Sequence, residues 1–85
     1  MTDGPAELDV TGLRCPLPVL KARPFLRALP PGTRAIVRAD DPVARVDLPD
    51  LCQRDGHRVT GERVDGSVLT FEIVTAGSPN GRDPD

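Results

Sequence analysis

The sequence predicts an α+β fold: a two-layer α/β sandwich in the order β-α-β-α-β-β, with a mixed four-stranded sheet and two helices on one face. Three observations carry this. Four short segments alternate apolar and polar residues, the period of a half-buried strand. Two longer segments lie between the first three strands and repeat apolar residues at helical spacing. The last two strands are joined at Asp65-Gly66, a hairpin signal. Each strand–helix–strand unit gives parallel strands with a right-handed crossover, which sends both helices to one face. The hairpin then makes one strand antiparallel.

Residues 1–6 read as a disordered N-terminus, 7–75 as the single folded domain, and 76–85, polar with Gly and Pro, as a disordered tail. Glu7 to Thr11 forms the first strand, with Leu8 and Val10 on one face. The first helix spans Pro16 to Leu29, with Val19, Ala22, Leu26 and Leu29 as its buried stripe. Pro30-Pro31-Gly32 stops it. Pro24 sits mid-helix, where it removes one backbone bond and predicts a kink. Thr33 to Ala39 is the second strand. Asp40-Asp41-Pro42 is a turn and cap signal. The second helix covers Val43 to Arg54, with a joint expected at Leu48-Pro49, Asp47 capping its second piece, and a stop at Asp55-Gly56. Its buried face carries Leu48, Leu51 and Cys52. His57 to Val64 and Val68 to Val74 are the third and fourth strands. The uncovered sheet face is expected to show Ile36, Val68 and Val74.

Eighty-five residues make one small domain, and two cysteines are too few for a disulfide framework. The N-terminus has neither a basic nor an apolar signal region, and no run reaches membrane-spanning length, so the cytoplasm is the expected location. Net charge is −2, which gives no global pull toward nucleic acid or membrane. The distribution is uneven. Arg14, Lys21, Arg23, Arg27, Arg34 and Arg38 occupy a stretch without acids, and five aspartates follow between Asp40 and Asp55. This suggests an electrostatic dipole that orients a partner, or faces that balance each other.

The chemistry concentrates in Gly12-Leu13-Arg14-Cys15-Pro16-Leu17-Pro18. Pro16 and Pro18 suit a first helical turn, because proline lacks an N–H that would have no partner there. Cys15 is thereby set at or beside the helix N-cap. Free N–H groups, the helix dipole and Arg14 are expected to lower its pKa. Leu17, Leu20 and Pro24 lie opposite the buried stripe, with Lys21 and Arg27 beside them, and form a candidate docking surface next to the thiol. Cys52 reads as a small hydrophobe in the core. His57 reads as a turn or surface residue rather than a partner of Cys15. Metal ligation is not expected, since two cysteines and a distant histidine lack ligand spacing.

These residues resemble the TusA/SirA family of small sulfur-carrier proteins. Cys15-Pro16-Leu17-Pro18 looks like the family's Cys-Pro-X-Pro motif. The likeness extends through Leu8-Asp9, Gly12-Leu13-Arg14, Pro31-Gly32, Ala39-Asp40-Asp41-Pro42, Asp47-Leu48-Pro49 and Gly56-His57. The resemblance implies that Cys15 carries sulfane sulfur as a persulfide; the local reading makes Arg14, Pro16 and Pro18 its supporting residues, and no cofactor is expected. It implies a cysteine desulfurase or rhodanese-type sulfur donor and a downstream acceptor protein, in tRNA thiolation or sulfur metabolism. Asp40 and Asp47 fall where the family often has acids. Leu17 and Pro24 depart from members with an acid between the prolines and a helix-favouring residue mid-helix, which bears on the identity of the partner. Two other readings compete. One is a non-catalytic RNA- or protein-binding module built on the basic stretch, although two phenylalanines make a poor stacking platform. The other is a thiol redox regulator, which needs Cys52 as resolving thiol.

Overall fold

The computed structural model describes residues 4–76. Its elements are β1 (Ala6–Asp9), α1 (Leu17–Arg27), β2 (Arg34–Ala39), α2 (Ala44–Asp55), β3 (Arg58–Asp65) and β4 (Val68–Val74). The sheet order is β1-β2-β4-β3. β1 and β2 are parallel, and β4 is antiparallel to both of its neighbours. β2 and β3 therefore point the same way, as a crossover through α2 requires. Ala6, expected in the disordered N-terminus, belongs to β1 and stands opposite Ala35. Gly4, Pro5 and Ala76 of the two ends expected to be disordered are described as well, Ala76 with a hydrogen bond to His57, and 1–3 and 77–85 lie outside the described residues.

Alternation sorts the sheet into two faces. Ala35, Val37 and Ala39 of β2 and Leu69, Phe71 and Ile73 of β4 face the helices and are buried. Ala22 and Leu26 of α1, with Ala44, Leu48, Leu51 and Cys52 of α2, complete the core. Val19 and Leu29, expected in the α1 stripe, are only partly buried, and Pro18 takes a fully inward place. The other sheet face carries Val68 and Val74 of β4 by the same alternation, as expected. Ile36 lies on it, and there Arg38 pairs with Glu7 and Arg34 with Glu72.

Both internal prolines are tolerated. α1 runs unbroken through Pro24. α2 is also one helix, not two pieces joined at Leu48-Pro49, with Val43 at its N-cap. A mid-helix proline costs about 3 kcal/mol in a host helix. Burial of Leu48 and Leu51 at 0 % and 2 % exposure contributes roughly 1.5–3 kcal/mol for each side chain. That is enough to hold the helix together across the missing bond. α2 ends at Gly56, whose φ of +83° is the left-handed conformation open to glycine.

The far end of the sheet is pinned by the residues that follow β4. The Thr75 amide donates to Thr33 O, and the Gly32 amide donates to Thr75 O at 2.7 Å. The Thr75 hydroxyl donates to Pro30 O at 2.7 Å. The Ala76 amide donates to Nδ1 of His57 at 3.0 Å. His57 does occupy the α2–β3 turn, but it is buried and not a surface residue. Burial pushes its pKa down, the Arg27 charge adds to this, and the Asp55 charge opposes it.

Candidate functional site

Parallel β1 and β2 end at the same edge of the sheet, so the loop after β1 meets the turn after β2. The Val10 amide donates to Arg38 O at 2.8 Å, carrying the β1–β2 register one residue further. Gly12, at φ +87°, turns the chain, and its amide donates to Oδ1 of Asp40 at 2.8 Å. Arg14 Nη1 donates to the same oxygen at 3.0 Å. The Cys15 amide donates to Oδ2 of Asp41 at 2.6 Å, and the Val43 amide to Oδ1 of Asp41 at 3.1 Å. One buried carboxylate thus clamps the thiol loop to the first turn of α2. The Cys15 N–H bond, then that of Val43, holds the Asp41 pKa below the ordinary carboxylate value. Asp40 is lowered first by Gly12 N–H and then by Arg14.

Cys15 itself is exposed. It precedes Pro16, which occupies the N-cap of α1, and the Cys15–Pro16 peptide bond is cis. Its Sγ lies 3.6 Å from Oδ2 of Asp47 on α2, to which the S–H donates. The expected lowering of the thiol pKa is not found: it is raised. Partial desolvation is the first cause, then the hydrogen bond to Asp47, then the charges of Asp47 and Asp41.

The reason lies in where the donors go. Pro18 has no N–H, the Leu17 amide bonds Arg14 O, and the Leu20 amide bonds Pro16 O. The Cys15 amide is committed to Asp41, and Arg14 to Asp40. The prolines that set the helix start also remove donors a thiolate would need there. With desolvation, the two carboxylates of Asp47 and Asp41 then act on the sulfur.

The other expected site residues divide. Leu17 (43 % exposed), Leu20 (60 % exposed), Lys21 and Pro24 face solvent on α1. Arg27 does not join them. It turns toward α2, with Nε 3.9 Å from Asp55 Oδ2, beside Arg23 Nε, which donates to the same oxygen at 3.2 Å. Of the six basic residues in the acid-free stretch, the five arginines all have an acidic partner within 4 Å. The expected dipole is therefore largely cancelled. Phe71 is buried and Phe25 is half-buried against the core, so the two make a poor stacking surface.

Cys52 is buried in the core, unpaired, and its pKa is pushed up to about 11 by burial and the Asp55 charge. It gives a redox device no accessible resolving thiol. Among the described residues no group of three or more His, Cys, Asp or Glu is arranged to hold a metal ion, and no helix is long and apolar enough to cross a membrane. Asp41 and Asp47 are the residues that local reading missed as neighbours of the thiol. Asp41 read as a turn former and Asp47 as a helix cap. The signal was topological: the ends of two parallel neighbouring strands bring Cys15 and the start of α2 together.

Comparison with known proteins bears on the family and the fold. The family model described as sulfurtransferase TusA matches residues 6–74. The crystal structure of a SirA-like protein from Desulfitobacterium hafniense superposes with a TM-score of 0.73 at 26 % identity, covering 84 % of this chain and 97 % of that one.

Proposed function

Because this chain belongs to the TusA sulfurtransferase family, we propose that it is a sulfur carrier whose Cys15 accepts sulfane sulfur as a persulfide and passes it on. The observation that carries this reading is an exposed thiol on a loop fixed by two backbone-to-carboxylate bonds, beside an exposed apolar helix face. A carrier needs its sulfur reachable by two successive partners, and a rigid loop presents it the same way to both.

The transfer is an exchange between sulfurs. The Cys15 thiolate attacks the terminal sulfur of a donor persulfide. A new S–S bond forms on Cys15, the donor's S–S bond breaks, and the electron pair leaves on the donor's inner sulfur as thiolate. The proton given up by Cys15 is taken by solvent or by that leaving thiolate. No net oxidation occurs. In the second half the acceptor's thiolate attacks the outer sulfur on Cys15 and regenerates the thiol. The chain acts as a relay between enzymes rather than turning over alone.

The donor in this reading is a cysteine desulfurase or a rhodanese-type protein, and the recipient is a downstream acceptor in tRNA thiolation or sulfur metabolism in the cytoplasm. Leu17, Leu20, Lys21 and Pro24 form the surface the partners cover. Arg14 supports the site by pairing with Asp40, and Pro16 and Pro18 by fixing where α1 begins. The alternative of an RNA-binding module is weakened by the paired arginines and the inward phenylalanines.

The test is mass spectrometry of the protein after incubation with cysteine desulfurase and cysteine. A gain of one sulfur, abolished in Cys15→Ser, is expected. A gain that survives Cys15→Ser overturns the assignment.

A further inference from the structure

We propose that Asp47 is a positioning residue that keeps Cys15 a neutral, hydrogen-bonded thiol while the carrier is empty. The inference rests on the reading of Cys15 as the sulfur-bearing residue and concerns how that residue is regulated. Asp47 is half-buried at the thiol end of a groove between α1 and α2, which Pro16, Val19, Arg23, Asp50, Leu51 and Arg54 also line. Among the described residues its carboxylate is in no ion pair, and its one side-chain hydrogen bond is the one it accepts from Cys15 at 3.6 Å.

The cations that could neutralise it are engaged elsewhere. On α1, Arg23 is held by Asp55 at 3.2 Å. On α2, Arg54 is held by Asp50 at 2.9 Å. On the thiol loop, Arg14 is held by Asp40 at 3.0 Å. In the β2–α2 turn, Asp41 adds a second negative charge near the sulfur. An uncompensated carboxylate that accepts a hydrogen bond from a thiol favours the protonated form, because ionisation would break that bond and set two anions side by side.

This distinguishes empty from loaded carrier. The ionisable atom of a persulfide is the outer sulfur, about 2 Å beyond Sγ along a new bond. It is no longer the atom that Asp47 holds. The empty thiol is thus a slower nucleophile, toward unrelated disulfides in solution as toward a donor persulfide, since thiolate is the attacking species. The loaded sulfur escapes that restraint.

The experiment is the pH dependence of Cys15 alkylation by iodoacetamide in the full chain and its Asp47→Asn and Asp47→Glu variants. In Asp47→Asn the midpoint falls by about one pH unit, so that alkylation at pH 7 rises about tenfold. Asp47→Glu, which keeps the charge, stays near the parent. An unchanged or higher midpoint in Asp47→Asn, or a fall of the same size in Asp47→Glu, overturns the proposal. Loading by desulfurase is scored separately on the same proteins. If Cys15 takes no sulfur but the midpoint moves, the carrier reading fails and the role of Asp47 in thiol protonation stands. If sulfur loads and the midpoint does not move, the reverse holds.

Discussion

Lowering the pH from 7.5 to 5 should loosen the end of the sheet remote from Cys15, through one histidine. His57 is buried, and its Nδ1 accepts the Ala76 N–H at 3.0 Å. The folded protein therefore holds it neutral. Protonation would place a hydrogen on Nδ1, leave the Ala76 amide without its acceptor, and put a charge where burial disfavours it. The folded-state pKa lies below the ordinary value of 6.5. Unfolded chains thus bind more protons in this range, and stability rises with pH. The contribution is complete above about pH 6.5 and is lost as pH falls toward and through the folded-state value. One lost hydrogen bond of this kind is worth about 0.5–1.5 kcal/mol. For a domain of this size 1 kcal/mol moves the melting temperature by about 4–8 °C. Melting curves followed by circular dichroism at pH 7.5 and 5 should show a fall of that order. His57→Gln offers a carbonyl acceptor and no proton to gain, so its curves should move much less. The pH window excludes the carboxylates lowered at Asp9, Asp40 and Asp41, which titrate below about 3.8. Parallel behaviour of the two proteins between pH 7.5 and 5 would refute the reasoning.

Further outcomes follow from the two helices. Leu20→Glu changes a residue 60 % exposed on α1 to another good helix former. Stability should stay within about 0.5 kcal/mol, while the rate of sulfur loading from cysteine desulfurase falls about fivefold, as for loss of an interface contact worth about 1 kcal/mol. An unchanged loading rate removes α1 as the docking face. Alkylation of the native protein at pH 8 should label Cys15 alone, because Cys52 is buried with its pKa at about 11. Denaturant should expose the second thiol, and two labels of similar rate in native protein would contradict the burial.

The sequence carries much of the fold and less of the site. Alternation placed Val37, Phe71 and Ile73 inward, and Asp65-Gly66 marked the hairpin, because these depend on neighbours a few residues away. Pro49 misled. A local rule scores a proline inside a helix by its missing bond, whereas the sheet beneath holds Leu48 and Leu51 and with them the whole of α2. The exposed position of Cys15 before a proline-started helix was legible. Its electrostatics were not, since the decisive carboxylate, Asp47, lies 32 residues further along the chain. The charge of Arg14 was counted toward the thiol because its partner Asp40 lies 26 residues away.

The sheet's register has a practical corollary. β1 starts beside the start of β2, and β4 finishes there too, with Ala6 opposite Ala35 and Val74 opposite Arg34. Both exits of the described chain therefore leave from the pole opposite the reactive sulfur. A tether, label or fused domain at either end would trail behind, while the front of the molecule stayed free to enter another protein's cleft.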